Sequence, residues 1–224
     1  EHEDAPLPEG KDPTMTDTFT VKQIKSGHCF SYVLASDGQA VLIDPHITQL
    51  QTYRDHLAKK GMELTAVIDT HTHADHLTGA AIIATEYGCP IVMSLKAISS
   101  LDIRQVGEGD IVVFGNAHLQ AMPAPGHTDD SVALLGNGCV FTGDVLLIGS
   151  VGRTDFQNGS PEDMFDTLAR FKPLPDETIV YPAHDYKNHT SSTIGKEKAS
   201  NPFMLEADRA AFAANARSKV LAKP

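Results

Sequence analysis

The sequence has no tryptophan, only three cysteines among 224 residues, and no apolar run long enough to cross a bilayer. The cysteines, Cys29, Cys89 and Cys139, are odd in number and include no Cys-x-x-Cys pair, which argues against a disulfide framework and a thiolate zinc site. A transmembrane helix needs about 20 apolar residues, and no signal-peptide pattern is seen. We therefore expect a protein that does not enter membranes and that works in the cytoplasm.

Basic residues are also scarce, with 18 Lys and Arg against 29 Asp and Glu and a net charge of −11. Such a charge repels nucleic acid and anionic membrane surfaces, so neither is an expected partner. The content of 41% hydrophobic and 21% charged residues is that of an ordinary globular protein. This composition argues against a disordered chain and against a coiled coil.

Residues 1–14 contain three prolines and no apolar periodicity, and we predict that they are a leader or disordered tail outside the fold. Residues 15–224 show no linker and are predicted to be one domain with a short helical extension at its C-terminus. Strand patterns occur in two similar sets, one before residue 94 and one after residue 110. The helical patterns are residues 48–60, 77–87, 163–171 and 205–220. This order predicts an α/β protein with two β-sheets face to face and helices on the outside.

The densest polar segment is HTHADH at residues 71–76, directly after the predicted strand Leu64–Ile68. Burying so many polar groups without partners would cost about 1–3 kcal/mol each. Imidazoles and carboxylates together suit divalent metals of intermediate softness. A solvated loop is the alternative interpretation, but the position between a strand and a helix favours a metal site.

Three further candidate ligands, His127, Asp144 and His184, each follow a predicted strand. A lone histidine there is usually structural, and an aspartate after glycine usually stabilises a turn. Together with residues 71–76, however, they resemble the metal-binding signature of the metallo-β-lactamase fold, from about Phe19 to Leu205. The resemblance implies an αβ/βα sandwich with two mixed β-sheets face to face and helices on the outside.

The segments around these ligands are similar to one group within that superfamily. GDVLLI at residues 143–148, GRTDFQ at 152–157, YPAHDY at 181–186 and STIG at 192–195 resemble the persulfide dioxygenases, also called sulfur dioxygenases. Asn201-Pro202 adds to the resemblance. It implies oxidation of glutathione persulfide by O2 to sulfite and glutathione, with one Fe(II) per chain, and it implies a homodimer.

By this resemblance, His71, His127 and Asp144 would hold the iron and form the catalytic centre. Three protein ligands on one side of an octahedral ion leave the other positions open for O2 and the persulfide sulfur. Iron also supplies a redox change that zinc cannot.

In hydrolytic relatives a second metal would use His73, Asp75, His76 and His184. In the dioxygenase interpretation these four residues orient the iron ligands or hydrogen-bond to bound water. The number of metals per chain therefore distinguishes the two interpretations.

The resemblance assigns Arg153 and Tyr186 to the glycine end of glutathione, since a guanidinium binds a carboxylate through paired hydrogen bonds. The alternatives are that Arg153 pairs with Asp155 or Asp144, and that Tyr186 packs in the core. Two departures from the family stand out. Ser150-Val151-Gly152 occurs where Gly-Cys-Gly is common, and Phe203 follows Asn201-Pro202 where many members have a basic residue, for which Lys196 or Lys198 would compensate.

None of the cysteines is predicted to be a nucleophile. Cys29 and Cys89 are interpreted as small buried apolar residues, and Cys139 begins a strand with no basic neighbour. A serine hydrolase is also disfavoured, because no G-x-S-x-G segment occurs.

Other functions stay open at this point. A glyoxalase II type thioesterase with two metals is the main alternative, although such enzymes usually have a larger helical C-terminal region than the 40 residues after His184. A catalytically silent binding module is disfavoured because all seven ligand positions are filled. A β-lactamase is conceivable from the fold alone, but those enzymes are typically exported.

Overall fold

The protein is represented by a computed structural model that describes residues 18–73, 77–155, 158–186 and 188–221. The leader or tail predicted for residues 1–14 lies outside the described residues. One domain over residues 15–224 stays a prediction. Within the described ranges, no helix is both long enough and apolar enough to cross a membrane.

Six strands form the first sheet, in the order in which they occur along the chain. They are β1 (Thr20–Ser26), β2 (Cys29–Ser36), β3 (Gln39–Ile43), β4 (Glu63–Ile68), β5 (Ile91–Ser94) and β6 (Ile103–Val106). The first three strands are an antiparallel meander, whereas β3 to β6 run parallel and need crossover connections. Helices α1 (Leu50–Lys60) and α2 (Ala80–Tyr87) lie in the crossovers after β3 and β4.

Six later strands form the second sheet. They are β7 (Ile111–Phe114), β8 (Ala117–Pro123), β9 (Val132–Gly136), β10 (Cys139–Gly143), β13 (Ile179–Pro182) and β14 (Ser192–Thr193), and a short hairpin of β11 (Leu146–Leu147) and β12 (Ser150–Val151) follows β10. The spatial order is β14-β13-β10-β9-β8-β7. Only β10 and β13 are parallel in this sheet, so both sheets are mixed, as the sequence predicts.

An apolar core fills the space between the two sheets. Leu34 and Ile43 of the first sheet and Leu119 and Phe141 of the second are among its fully buried residues. Burial of one such side chain contributes about 1.5–3 kcal/mol to folding. This core holds the sheets face to face and confirms the predicted sandwich.

Helices cover the outer faces of both sheets. Tyr53 and Leu57 of α1 pack on the first sheet. The second sheet is covered by Leu168 of α3 (Pro161–Phe171) and Phe212 of α6 (Arg209–Leu221). The predicted outer position of the helices is therefore confirmed.

The C-terminal helices differ from the prediction of one helix over residues 205–220. The structure has α4 (Ile194–Ser200) and α5 (Pro202–Leu205) before α6. Asn201 ends α4 and caps α5, and Glu206 has an extended backbone, so Leu205 belongs to the earlier helix. Helices of one or two turns give too few apolar repeats for periodicity to identify them.

Candidate metal centre

Three of the predicted ligands meet where strands of both sheets end. His71 follows β4 of the first sheet, His127 lies in the loop between β8 and β9, and Asp144 directly follows β10. Their ligand atoms lie within 4.8 Å of one another. All three residues are buried, with 1%, 5% and 8% of their surfaces exposed. Two imidazoles and a carboxylate thus share a small space shielded from solvent.

Hydrogen bonds determine which nitrogen of His71 faces this space. The Thr70 hydroxyl donates its proton to Asp44 Oδ2 at 2.9 Å and lies 3.0 Å from His71 Nδ1. Because a hydroxyl has one proton, His71 Nδ1–H must donate to Thr70 Oγ1. The lone pair therefore lies on Nε2. Burial, and then the neighbouring His73, lower the pKa of His71 to about 3, so the imidazole is neutral near pH 7.

His127 is oriented in the same way by a backbone group. Its Nδ1 lies 2.7 Å from the carbonyl oxygen of Arg153 and must donate to it. Its Nε2 lies 3.7 Å from Asp144 Oδ2. A metal-binding histidine usually donates its other N–H to a carbonyl or carboxylate, which fixes both tautomer and ring orientation. In both histidines Nδ1 donates to a protein oxygen, so Nε2 is the ring atom directed toward the metal position.

The two oxygens of Asp144 have different partners. Oδ1 lies 2.6 Å from Nδ1 of His184, and Oδ2 faces His127. Burial alone would raise the pKa of Asp144, but His184, His71 and His127 outweigh it and hold the pKa far below its usual range. Asp144 is therefore ionised, with Oδ2 directed toward the two imidazoles.

This donor set fits a divalent metal ion. His71 Nε2 is a buried nitrogen with no hydrogen-bond partner among the described residues. Such an atom destabilises the fold unless something binds it. Two neutral imidazole nitrogens and one carboxylate oxygen form the ligand set of non-haem Fe(II) oxygenases.

His73 belongs to a second group of potential ligands, formed with Asp44 and Asp69. Its Nε2 lies 3.4 Å from Asp44 Oδ1 and 3.8 Å from Asp69 Oδ1. Burial lowers the pKa of His73, but the two carboxylates outweigh it and raise the pKa well above its ordinary value. The ring lies 4.3 Å from that of His71, so His73 is adjacent to the three-residue centre without being part of it.

His184 also lies beside the centre. Its Nδ1 contacts Asp144, and its Nε2 lies 3.2 Å from Cys29 Sγ, so both ring nitrogens have protein contacts. The interpretation of Cys29 as a merely apolar residue is therefore wrong. The other two residues predicted to surround the centre, Asp75 and His76, lie outside the described residues.

The predicted substrate residues lie at the surface. Arg153 forms a bidentate ion pair with Asp155, in which Nε lies 2.6 Å from Oδ1 and Nη2 lies 2.5 Å from Oδ2. This pairing is one of the alternatives that the sequence left open. The Tyr186 residue is 60% exposed, so core packing is the wrong interpretation for it. Its ring lies parallel to that of His184, with the centroids 5.9 Å apart, and 5.2 Å from that of His28.

The Asn-Pro segment supports the loop after Asp144. The buried amide of Asn201 donates to the carbonyl of Ser150 at 3.0 Å and to the Glu197 carboxylate at 2.8 Å. Lys198, one of the two lysines considered as a substitute for the missing basic residue, forms an ion pair with Asp176. Asn201 is thus a structural anchor for the hairpin β11–β12.

Neither of the other two cysteines is an activated thiol, as the sequence predicts, although Cys89 is only half-buried and the prediction that it is a buried residue is wrong. Burial raises the pKa of Cys139 to about 12 and also raises that of Cys89. Because the thiolate is the reactive form, neither residue is set up as a nucleophile.

Sequence reasoning missed the carboxylates that support the ligands. Asp44 and Asp69 directly follow β3 and β4, which is the same signal that identified Asp144 after β10. Asp130 hydrogen-bonds to both ligand-bearing loops, through Thr72 and Thr128. Nothing in its local pattern distinguishes it from the preceding aspartate.

The close packing around His71 predicts a specific effect of a single methyl group. Gly143 has a φ of +52°, and a Cβ there would lie 2.7 Å from Thr70 Oγ1 and 3.4 Å from His71 Nδ1. We expect Gly143→Ala to disturb the Thr70–His71 hydrogen bond and to weaken Co(II) affinity by about 10- to 100-fold. Calorimetric titration of the metal-free protein measures this.

Gly138→Ala is the matched control. Gly138 directly precedes β10, the strand that ends at Gly143, and it also has a positive φ, of +68°. A Cβ at Gly138 would have no atom within 4 Å. Both variants should lose about 1–2 kcal/mol of unfolding free energy from the left-handed backbone, and Gly143→Ala should lose more because its Cβ lies too close to Thr70. Equal Co(II) affinity in the two variants would contradict the role of the Thr70–His71 contact.

Comparison with known proteins agrees with this fold. Residues 25–184 match the model of the metallo-beta-lactamase superfamily. The mitochondrial persulfide dioxygenase ETHE1 of Mus musculus is 36% identical over 179 residues, which cover 77% of this chain and 70% of that protein. A hydroxyacylglutathione hydrolase of Polaromonas sp. is 33% identical over 193 residues, with coverage of 79% and 71%.

Among solved structures, ETHE1 from Myxococcus xanthus has a TM-score of 0.86 and 38% identity, and the match covers 92% of each chain. This match includes nearly the whole of both proteins, and its identity exceeds that to the hydrolase. The chain therefore belongs to the metallo-β-lactamase superfamily and, within it, to the ETHE1-like persulfide dioxygenases.

Proposed function

We propose that this protein is an iron-dependent dioxygenase that oxidises glutathione persulfide with O2 to sulfite and glutathione. The observation that carries the proposal is the buried group of His71, His127 and Asp144, whose donor types suit non-haem Fe(II). The similarity to persulfide dioxygenases favours this reaction over the others that the same fold supports.

One Fe(II) per chain would be held by Nε2 of His71, Nε2 of His127 and Oδ2 of Asp144. When bound, it supplies a redox change and open positions for O2 and the persulfide sulfur. The protein keeps the two imidazole lone pairs and the ionised carboxylate directed toward one point. Since His71 is neutral and Asp144 is ionised near pH 7, neither group has to lose a proton when the metal binds.

The overall reaction balances with one molecule of water. The S–S bond of the persulfide breaks, and the sulfane sulfur loses the electrons that O2 gains. Sulfite contains both atoms of O2 and the oxygen of water, glutathione leaves as the thiol, and the remaining protons are released. In this interpretation His73 and His184 lie beside the iron without binding it, and the same role stays a prediction for Asp75 and His76, which lie outside the described residues. The contact of His184 with Oδ1 of Asp144 leaves Oδ2 for the metal.

The glutathione part of the substrate would extend toward Arg153 and Tyr186. The Arg153 side chain is 46% exposed, and its partner Asp155 is 34% exposed. An exposed ion pair contributes only about 0–1 kcal/mol, so the glycine carboxylate of glutathione can replace Asp155 on the guanidinium. Tyr186 would line the same path with its exposed ring. The homodimer implied by the resemblance remains a prediction.

A thioesterase with two metals is the second candidate function. Two observations favour it: the 33% identity to a hydroxyacylglutathione hydrolase, and the group of Asp44, Asp69 and His73 beside the first group. The protein contacts on both ring nitrogens of His184 argue against a second metal bound by that residue.

The two candidate functions predict different metal requirements for activity. Protein loaded anaerobically with Fe(II) should contain one iron per chain and consume O2 with glutathione persulfide, whereas zinc-loaded protein should consume none. Elemental analysis beside an oxygen electrode measures both quantities. O2 uptake retained with zinc, or thioester hydrolysis with two metals and no O2 uptake, would overturn the proposal.

The proposed role of Arg153 predicts a separate kinetic effect. Arg153→Met should raise KM for glutathione persulfide by about 2- to 5-fold, because an ion pair at this exposed position contributes at most about 1 kcal/mol, and should leave kcat nearly unchanged. Arg54→Met is the control, since Arg54 forms a similar exposed pair with Glu86 on helix α2. An unchanged KM in Arg153→Met would remove Arg153 from the substrate site.

A further inference from the structure

Asp130 is a buried carboxylate between the two loops that carry the histidine ligands. It lies in the loop from β8 to β9, three residues after His127, and only 5% of its surface is exposed. A buried carboxylate is destabilising unless hydrogen bonds satisfy it. Its hydrogen bonds therefore indicate what Asp130 does.

On one side, Asp130 binds the loop that follows β4. Oδ2 accepts a hydrogen bond from the Thr72 hydroxyl at 2.5 Å, and the Thr72 backbone N–H lies 3.2 Å from Oδ2 and 3.3 Å from Oδ1. Thr72 is the residue between His71 and His73. Asp130 therefore holds the backbone directly after the first ligand.

On the other side, Asp130 fixes its own loop. Oδ1 accepts a hydrogen bond from the Thr128 hydroxyl at 2.6 Å, and Thr128 directly follows the ligand His127. Because that hydroxyl donates its one proton to Asp130, the Ser131 hydroxyl 2.7 Å away must donate to it. The resulting chain runs from Ser131 through Thr128 to Asp130.

A backbone hydrogen bond joins the same two loops on the opposite side of His71. The N–H of Val132 donates to the carbonyl of Thr70 at 2.8 Å. The backbone contact at Thr70 and the carboxylate contact at Thr72 thus enclose His71 from both sides along the chain. Without Asp130, the two loops would keep the backbone contact at Thr70 and lose the contact at Thr72.

We propose that Asp130 is a positioning residue for the metal centre, which sets the distance between His71 and His127 by joining Thr72 to Thr128. A carboxylate suits this role because both oxygens accept hydrogen bonds from several donors at once. Asparagine would offer one acceptor oxygen and so could satisfy one loop but not both. The proposal rests on the metal centre of the proposed function, but not on its substrate.

The test is titration of metal-free protein with Co(II), whose visible spectrum reports the coordination geometry. Asp130→Asn should weaken Co(II) affinity by about 10- to 100-fold and alter the spectrum of the bound ion. Asp129→Asn is the matched control, because it removes the same charge from the adjacent position, where, within the described part of the chain, the carboxylate accepts one hydrogen bond, from the Asn158 amide at 3.3 Å. The control should keep the wild-type affinity and spectrum.

Thr72→Val provides a second variant, because it removes one hydroxyl contact and leaves the carboxylate in place. It should weaken Co(II) affinity by about 3- to 10-fold. In the double variant the two losses should be less than additive, since both changes remove the same contact. This variant keeps the proposal testable even where Asp130→Asn does not fold.

Three outcomes would overturn the proposal. The first is an equal loss of Co(II) affinity in Asp130→Asn and Asp129→Asn, which would mean that only the lost charge matters. The second is a lower unfolding free energy of metal-free Asp130→Asn together with an unchanged Co(II) spectrum, which would indicate a purely structural role. Absence of Co(II) binding by the wild-type protein would overturn the metal centre itself, whereas Co(II) binding without persulfide oxidation would contradict only the proposed function.

Discussion

Two imidazoles and one carboxylate are held together in a buried space, and the proposed chemistry depends on the hydrogen bonds behind them. Each group is satisfied on its outer side, His71 by Thr70, His127 by a backbone carbonyl and Asp144 by His184. The inner side of each group therefore keeps a lone pair. A cation in that position would satisfy the His71 nitrogen, which has no hydrogen-bond partner among the described residues.

The fold explains why these partners meet. The ligands come from strand ends of both sheets, and the apolar core between the sheets sets the distance at which those ends face each other. Two contacts then join the loops, the backbone pair of Thr70 and Val132 and the bridge through Asp130. Metal binding at the proposed centre would therefore be coupled to sheet packing, since an ion that binds only the folded state also stabilises it.

Sequence patterns could predict the parts of the site that are local. Asp144 and His184 follow β10 and β13, and because these strands are parallel neighbours their ends lie at one edge. The contact between Asp44 and Thr70 joins residues 26 positions apart, so no local pattern shows which nitrogen of His71 carries the lone pair. The surface position of Tyr186 likewise depends on tertiary packing, which explains why its exposure was left open by the sequence.

The proposed function depends on one metal ion bound by His71, His127 and Asp144. Anomalous diffraction at the iron absorption edge, from crystals of anaerobically iron-loaded protein, would locate that ion. We expect one anomalous peak per chain at bonding distance from Nε2 of both histidines and from Oδ2 of the aspartate. No peak at that position, or a second peak of similar height beside His73 and His184, would contradict the proposal.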